Sequence, residues 1–393
     1  MDFISRQIEK RFKKTLDRRK SILLLGPRQT GKTTLVKSLK ADLYINLARP
    51  AIRQVYEKDP GRLTREVEAM TSELPLVIID EVQKVMPLLD AVQDLIDSQV
   101  AQFILTGSSA RKLRREGDAN LLPGRVVILR MDPLLISEMT TLSPSIEELL
   151  LYGSLPQIIL EKSAENREED LFSYVTTYLE EEIRSEAFVR NVGAFSNFLK
   201  LAALESGSIS NFHKLSQDVG VSNPTISEYY QILVDCLVAE RIEALSQSRT
   251  RKKLIKSPKF LIYDLGVRRI AAGEGRDIPD KYMGDLFEQW VGLELLRLMR
   301  TAPQKSSLLF WRDQAGAEVD WIVEKENQYT PVEVKWTDNP SSRDARHVHA
   351  FIEEYSNSSR GYVICRIPRA QKLTDTVTAL PWRELHTVLE SRE

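Results

Sequence analysis

Gly26-Pro27-Arg28-Gln29-Thr30-Gly31-Lys32-Thr33 decides how this chain is read. It fits the phosphate-binding loop pattern G-x-x-x-x-G-K-[ST] at every position. Ser21-Ile-Leu-Leu-Leu25 before it is a short apolar run suited to a buried parallel strand, and Thr34-Leu-Val-Lys-Ser-Leu39 after it opens a helix. Strand, Gly-rich turn and helix start surround phosphates with backbone N–H groups and the positive end of a helix dipole. Residues Gly26 to Thr34 are therefore expected to hold ATP, with Lys32 on the β- and γ-phosphates and the Thr33 hydroxyl on Mg²⁺.

Leu76-Val-Ile-Ile-Asp80-Glu81 supplies the second half of such a site. Four apolar residues followed by two acids describe a buried strand with carboxylates at its C-terminal end, the edge where open α/β sheets bind ligands. Asp80 is expected to hold Mg²⁺ directly or through water, and Glu81 to polarise the attacking water. A third run, Phe103-Ile-Leu-Thr106-Gly-Ser108-Ser109, also ends in small polar residues. Ser108 is the expected γ-phosphate sensor and Thr106 the alternative. The Asp80–Glu81 pair suits water activation, and no acceptor-site lid is visible, so a nucleotide kinase is disfavoured.

Outward from this core, runs at 21–25, 43–47, 76–80, 103–107 and 126–130 alternate with helical patterns, as in a parallel sheet covered by helices. Residues 1–20 read as a basic amphipathic helix. The 393 residues suffice for two or three domains, which we place at 1–135, 136–250 and 251–393. The net charge of −1 argues against a uniformly basic nucleic-acid coat but leaves room for local patches. Two distant cysteines, Cys236 and Cys365, suggest neither a disulfide framework nor a zinc site, and fit a reducing cytosol. With no apolar run near the ~20 residues that span a bilayer, and no signal-peptide core, a cytoplasmic protein with no membrane partner is expected.

In the middle region, residues 194–204, 211–219 and 222–233 read as three helices, the last two joined by Gly220-Val-Ser-Asn at helix-turn-helix spacing. Ser222 is the expected cap of the third. Cys236–Ile242 and Lys259–Tyr263 would supply a wing. If this module meets DNA, Asn223, Thr225, Ser227 and Glu228 would face the major groove. The same three helices would equally serve protein contacts. Arg249-Thr-Arg-Lys-Lys253 reads as phosphate contacts or a solvated linker, and the acidic run Leu179–Ile183 as a solvated helix face.

The C-terminal third holds Ala317-Glu-Val-Asp320-Trp-Ile-Val and Pro331-Val-Glu333-Val-Lys335, two strand-like runs close enough to form a hairpin. Glu333 and Lys335, two apart, share a face on which Asp320 can join them. Glu288, on the helix-like Gly284-Asp-Leu-Phe-Glu288, can add a further acid. Carboxylates converging this way can hold Mg²⁺, and a lysine beside them can orient or deprotonate water.

This pattern resembles the PD-(D/E)xK fold of restriction-endonuclease-like enzymes. Asp320, Glu333 and Lys335 fall at the motif positions, Glu288 is the helix acid, and Val319 stands where the family has proline. The whole chain resembles bacterial and archaeal AAA-type ATPases of the STAND-like branch, with a winged-helix segment and an endonuclease-like C-terminal domain. Further matching residues are Ile79–Gln83, Leu122-Pro-Gly-Arg125, Tyr152-Gly-Ser-Leu-Pro156 and Tyr263-Asp-Leu-Gly266. The resemblance implies ATP hydrolysis and a link to DNA. Arg125 is the expected arginine near the γ-phosphate, in cis or from a neighbouring subunit of a homo-oligomer, with Arg111, Arg114 and Arg115 competing. The expected fold is α/β: a P-loop NTPase parallel sheet, a helical and winged-helix middle, and a restriction-endonuclease-like α/β domain. A domain that binds DNA or protein without cutting is the alternative use of that last part.

Overall fold

The computed structural model describes residues 4–109, 122, 124–179, 191–245, 254–302, 304–313 and 316–390. Arg111, Arg114, Arg115, Glu180–Ile183 and Arg249–Lys253 lie outside the described residues. The chain divides into two compact units: Met1–Pro133 with Ile232–Val238, and Leu134–Gln231 with Ala239–Glu393.

The first unit is built on five parallel strands, β1 (Ser21–Leu25), β2 (Leu43–Asn46), β3 (Leu76–Asp80), β4 (Gln102–Gly107) and β5 (Val126–Arg130), in the order β2-β3-β4-β1-β5. All five expected strands are present. β1 is buried along its whole length because both faces of the sheet are covered. Leu23 and Leu25 enter the core under α3 (Pro50–Lys58), α4 (Arg62–Glu68) and α5 (Leu88–Asp97), beside Val77, Ile79, Phe103 and Leu105. Ile22 and Leu24 enter the opposite core with Ile8 and Phe12 of α1 (Ile8–Asp17) and with Leu35 and Val36 of α2 (Lys32–Lys37). The order inserts β4 between the strand before the phosphate loop and the strand bearing Asp80.

The second unit opens with α6 (Ile146–Tyr152), α7 (Pro156–Leu160) and α8 (Ala164–Ser173). The expected three-helix module follows as α9 (Val192–Leu204), α10 (Phe212–Val219) and α11 (Asn223–Asp235). Gly220 caps α10 at φ 77°, and the Ser222 hydroxyl accepts from the Thr225 N–H at 3.3 Å. The two segments expected to form a wing belong to a larger sheet. β6 (Ala239–Ala244) and β7 (Lys259–Ile262) pair antiparallel, but β6 also runs parallel to β8 (Ser306–Arg312), with Glu243 opposite Leu309. The two strands thus extend a mixed eight-stranded sheet with β9 (Glu318–Lys325), β10 (Gln328–Val334), β11 (Gly361–Cys365), β12 (Gln371–Lys372) and β13 (Val377–Pro381). This ladder joins residues on either side of the expected boundary at 250/251.

A buried network explains two motifs that had no assigned role. The Asp264 carboxylate accepts from the N–H groups of Ser154, Gly266 and Val267. Gly153 takes φ 72°, and a Cβ there would meet Asp264 Oδ1 at 2.0 Å, while a Cβ on Gly266 would meet the Tyr152 carbonyl at 2.2 Å. Arg297, on α13 (Asp280–Thr301, preceded by α12, Leu265–Ala272), donates to Ser154 Oγ at 2.7 Å and to the Tyr263 carbonyl at 2.9 Å. Glu294 on the same helix accepts from the Ile136 N–H at 2.8 Å, and its other carboxylate oxygen is buried without a hydrogen bond, 3.9 Å from Arg297. Burial, against the pull of Arg297, raises the Glu294 carboxyl to about 7.

Candidate functional site

The phosphate loop is shaped by backbone that most side chains cannot adopt. Gly31 sits at φ 97°, and a Cβ on Gly26 would meet the Met131 carbonyl at 2.2 Å. Arg6, absent from the sequence-based expectations, braces the loop. It is buried and donates to the Thr30 carbonyl at 2.7 Å and to the Asp132 and Pro133 carbonyls at 2.7 and 3.3 Å. Thr30 closes its own turn by donating to the Pro27 carbonyl. Gln29 and Thr34 are exposed and Arg28 half-buried around this turn. Lys32 is buried, its ammonium donating to the Gly26 and Pro27 carbonyls at 2.7 and 2.8 Å. A phosphate entering the loop would replace those two neutral acceptors by charged oxygens, which make stronger hydrogen bonds.

Asp80, 1% exposed at the end of β3, is held by three hydroxyls. Its Oδ2 accepts from Thr33 and Tyr44, each at 2.9 Å, and its Oδ1 accepts from Thr106. No ion pair to Asp80 is present among the described residues. Burial, with the Asp80 charge and hydrogen bond, raises the Tyr44 phenol well above its ordinary range, so it stays a neutral donor. An adjoining hydroxyl and an uncompensated carboxylate are hard oxygen ligands that fit Mg²⁺, with Thr33 and Asp80 as its holders. Mg²⁺ bound there would neutralise charge on the phosphate oxygens.

Glu81 takes the left-handed conformation (φ 63°, ψ 47°) as the chain leaves β3, and its N–H donates to Thr106 Oγ. Its Oε2 accepts from Gln83 Nε2 at 2.7 Å and from the Ser108 hydroxyl at 3.4 Å, and Gln83 Nε2 also reaches Ser108 Oγ at 3.1 Å. The structure therefore brings Glu81, Gln83 and Ser108 together. The β3–β4 pairing makes this possible, since it sets Ile79 beside Leu105 and so carries both strand ends to one edge. Gln83 was visible only as a matching letter, and nothing local indicated that it would hold Glu81.

Arg125 is a correction. β5 pairs with β1 so that Val126 lies beside Ser21, the first residue of β1, while the phosphate loop follows Leu25. That puts Arg125 at the opposite edge of the sheet, about 16 Å away along five residues of strand. Its guanidinium pairs instead with both carboxylate oxygens of Asp97, at 2.6 and 2.8 Å. An in-cis role at the γ-phosphate is excluded by this register.

In the second unit, β9 and β10 form the expected hairpin, turned by Glu326 and Asn327 at positive φ. Trp321 lies opposite Val332, so Asp320 and Glu333 take the next position and share a face. Asp320 Oδ2 accepts from the Val334 N–H at 2.7 Å, and Lys335 Nζ donates to Glu333 Oε1 at 2.7 Å. Asp320 and Glu333 are 6% and 3% exposed. Burial, reinforced by the charges of Glu288 and Glu333, pushes the Asp320 carboxyl well above its ordinary range. Burial also raises Glu333, against Lys335.

Glu288 comes near this pair but not as an open ligand. Lys259 Nζ, from β7, donates to Glu288 Oε1 at 2.8 Å. Burial opposes the Lys259 ammonium, yet the charges of Glu288 and Asp320 outweigh it and raise its pKa. Two acids of the expected metal trio of Glu288, Asp320 and Glu333 are thus paired to lysines. Among the described residues no group of three or more His, Cys, Asp or Glu side chains is disposed to hold a metal ion. The reason is electrostatic: Lys259 and Lys335 already sit on the carboxylates a divalent ion would need. A cavity of about 710 Å³ adjoins it, lined in part by Lys259, Glu288, Gln289, Arg312 and Glu318.

Among the described residues no helix is long and apolar enough to cross a membrane. An AAA domain matches residues 18–140, and two domains of unknown function, DUF8612 and DUF4143, match residues 143–277 and 283–385. Uncharacterised proteins of Mycobacterium bovis and Mycobacterium tuberculosis are each 27% identical over 384 residues, covering 96% of this chain and 83% of theirs. The chain is also similar to the Aeropyrum pernix ORC1 protein solved with DNA (13% identity, TM-score 0.30, 68% of this chain and 91% of that one). A Bacillus subtilis DNA clamp loader delta protein gives 12% identity and TM-score 0.28 over 57% and 87%. Likenesses that distant carry no functional weight. The loop geometry and strand order give residues 18–140, which match an AAA domain, a P-loop-type parallel sheet within an α/β protein.

Proposed function

We propose that this protein is an ATP-hydrolysing switch whose nucleotide state controls a DNA-directed C-terminal region. The carrying observation is the pair of acids at the end of β3: Asp80 ringed by hydroxyls, and Glu81 steered by Gln83 and Ser108. In this reading Lys32 binds the β- and γ-phosphates, and Thr33 and Asp80 hold Mg²⁺. Glu81 positions the attacking water, and Ser108 reports the γ-phosphate to it. Contacts made only with the γ-phosphate are what can bias one state over another.

The DNA-directed half is supported by the two helices α10 and α11, with Asn223, Ser227 and Glu228 exposed on the second. For the endonuclease-like region we favour binding without cutting, because the Lys259–Glu288 pair covers an acid that cleavage would need for a metal. Arg125 would act at a γ-phosphate only from a neighbouring subunit, which requires a homo-oligomer.

The test is ATP turnover with and without single- and double-stranded DNA, with K32A as the blank. Turnover raised by DNA supports the whole reading. Turnover indifferent to DNA removes DNA as the partner, and K32A-insensitive turnover removes the ATPase.

A further inference from the structure

Each acid of the C-terminal cluster has one oxygen that accepts from a partner, while Glu333 Oε2 is buried without a hydrogen bond. Glu333 Oε1 receives Lys335, Asp320 Oδ2 receives the Val334 N–H, and Glu288 Oε1 receives Lys259. Lys259 is the unusual member. It comes from β7, remote in sequence from the β9–β10 hairpin, and its side chain is 10% exposed. Its ammonium also lies 5.1 Å from the ring centroids of both Phe310 and Trp321. Two aromatic faces and a carboxylate form a cage for a monovalent cation, since ring quadrupoles and Glu288 attract it from different sides. Trp321 fixes the cage by donating its indole N–H to the Glu288 carbonyl at 3.1 Å.

We propose that Lys259 is a built-in cation of this cluster. Its ammonium takes the place beside Glu288 and Asp320 that Mg²⁺ or Mn²⁺ would otherwise fill, so the face works without divalent metal. A flexible lysine at a solvated nuclease site can move aside for a metal. Lys259 is held by a carboxylate and two rings, and leaving would strip the half-buried Glu288 of its partner. The inference is independent of the ATPase reading, because its test uses nucleotide-free protein.

The test is a Mn²⁺ titration of the full chain, read by the electron paramagnetic resonance of free Mn²⁺, in a D80N background that silences the phosphate-loop site. The expected result is no saturable site at roughly millimolar Mn²⁺ with Lys259 present. Adding K259M should create one site, at least about tenfold tighter, because a positive charge has left the cluster. Adding E288Q to K259M should abolish it. Thermal melting gives a second readout: Mn²⁺ should raise the melting temperature of the K259M protein and leave its parent unmoved. A saturable site with Lys259 present that E333Q removes would overturn the proposal, as would a folded K259M protein that gains no Mn²⁺ site. Should K259M not fold, the titration with Lys259 present decides alone, in either direction.

Discussion

Two groups of acids in this molecule have opposite surroundings. Asp80 is surrounded by the hydroxyls of Thr33, Tyr44 and Thr106, whereas Glu288 and Glu333 are capped by the ammonium groups of Lys259 and Lys335. Hydroxyls orient a carboxylate without cancelling its charge, which leaves it to attract a divalent cation. Lysines cancel it. Acids thus stand among neutral hydroxyls in one unit and beside lysines in the other.

The largest expected effect lies at the phosphate loop. K32A should lower ATP turnover by about a thousandfold or more, since the ammonium is the main positive charge aimed at the β- and γ-phosphates. Single-turnover hydrolysis measures it, and near-normal turnover would end the nucleotide reading.

A matched pair of substitutions sharpens the contrast. D80N should cost about a hundredfold in Mg²⁺-dependent turnover, because it removes the uncompensated charge. D320N should leave turnover within about twofold, because Asp320 lies in the lysine-compensated cluster and an amide oxygen still accepts from the Val334 N–H. Equal losses in the two variants would show that the two acids do not differ in kind.

Glu294 gives a pH signature. Its folded pKa of about 7 lies above the ordinary 4.5, so the folded state binds more protons between those values, and stability falls as pH rises through that window. The full effect is about 3 kcal/mol, lost by pH 8. E294Q, which still offers an acceptor to the Ile136 N–H, should flatten that part of the curve in denaturant melts at pH 5 and pH 8. An unchanged slope would place the proton elsewhere.

The smallest effect is expected at Arg125. R125A should keep turnover within about twofold at low protein concentration, where a side chain paired to Asp97 at the far sheet edge is a surface contact. A large, concentration-dependent loss would instead reveal a subunit interface.

How much was legible follows from distance along the chain. The loop from Gly26 to Thr33, the acids at Asp80 and Glu81, and the five strands were readable because local spacing fixes them: apolar runs set strands, and residues at a strand's end share its edge. The Asp320–Glu333–Lys335 face was readable for the same reason, since a short hairpin and a period of two leave little freedom. Gln83 and Arg6 were not, because their roles depend on strands and loops meeting from distant parts of the chain.

Sequence by itself determined the chemistry on offer: a phosphate loop, a pair of acids after β3, and a carboxylate–lysine hairpin. Tertiary structure decided what each could do. Strand register sent Arg125 to the far edge, and strand order put β4 where Thr106 and Ser108 could serve Asp80 and Glu81. The joining of β6 and β7 to the C-terminal sheet brought Lys259 onto Glu288. Electrostatic compensation acts through space over a few ångströms, and no local pattern encodes a partner that lies 29 residues away.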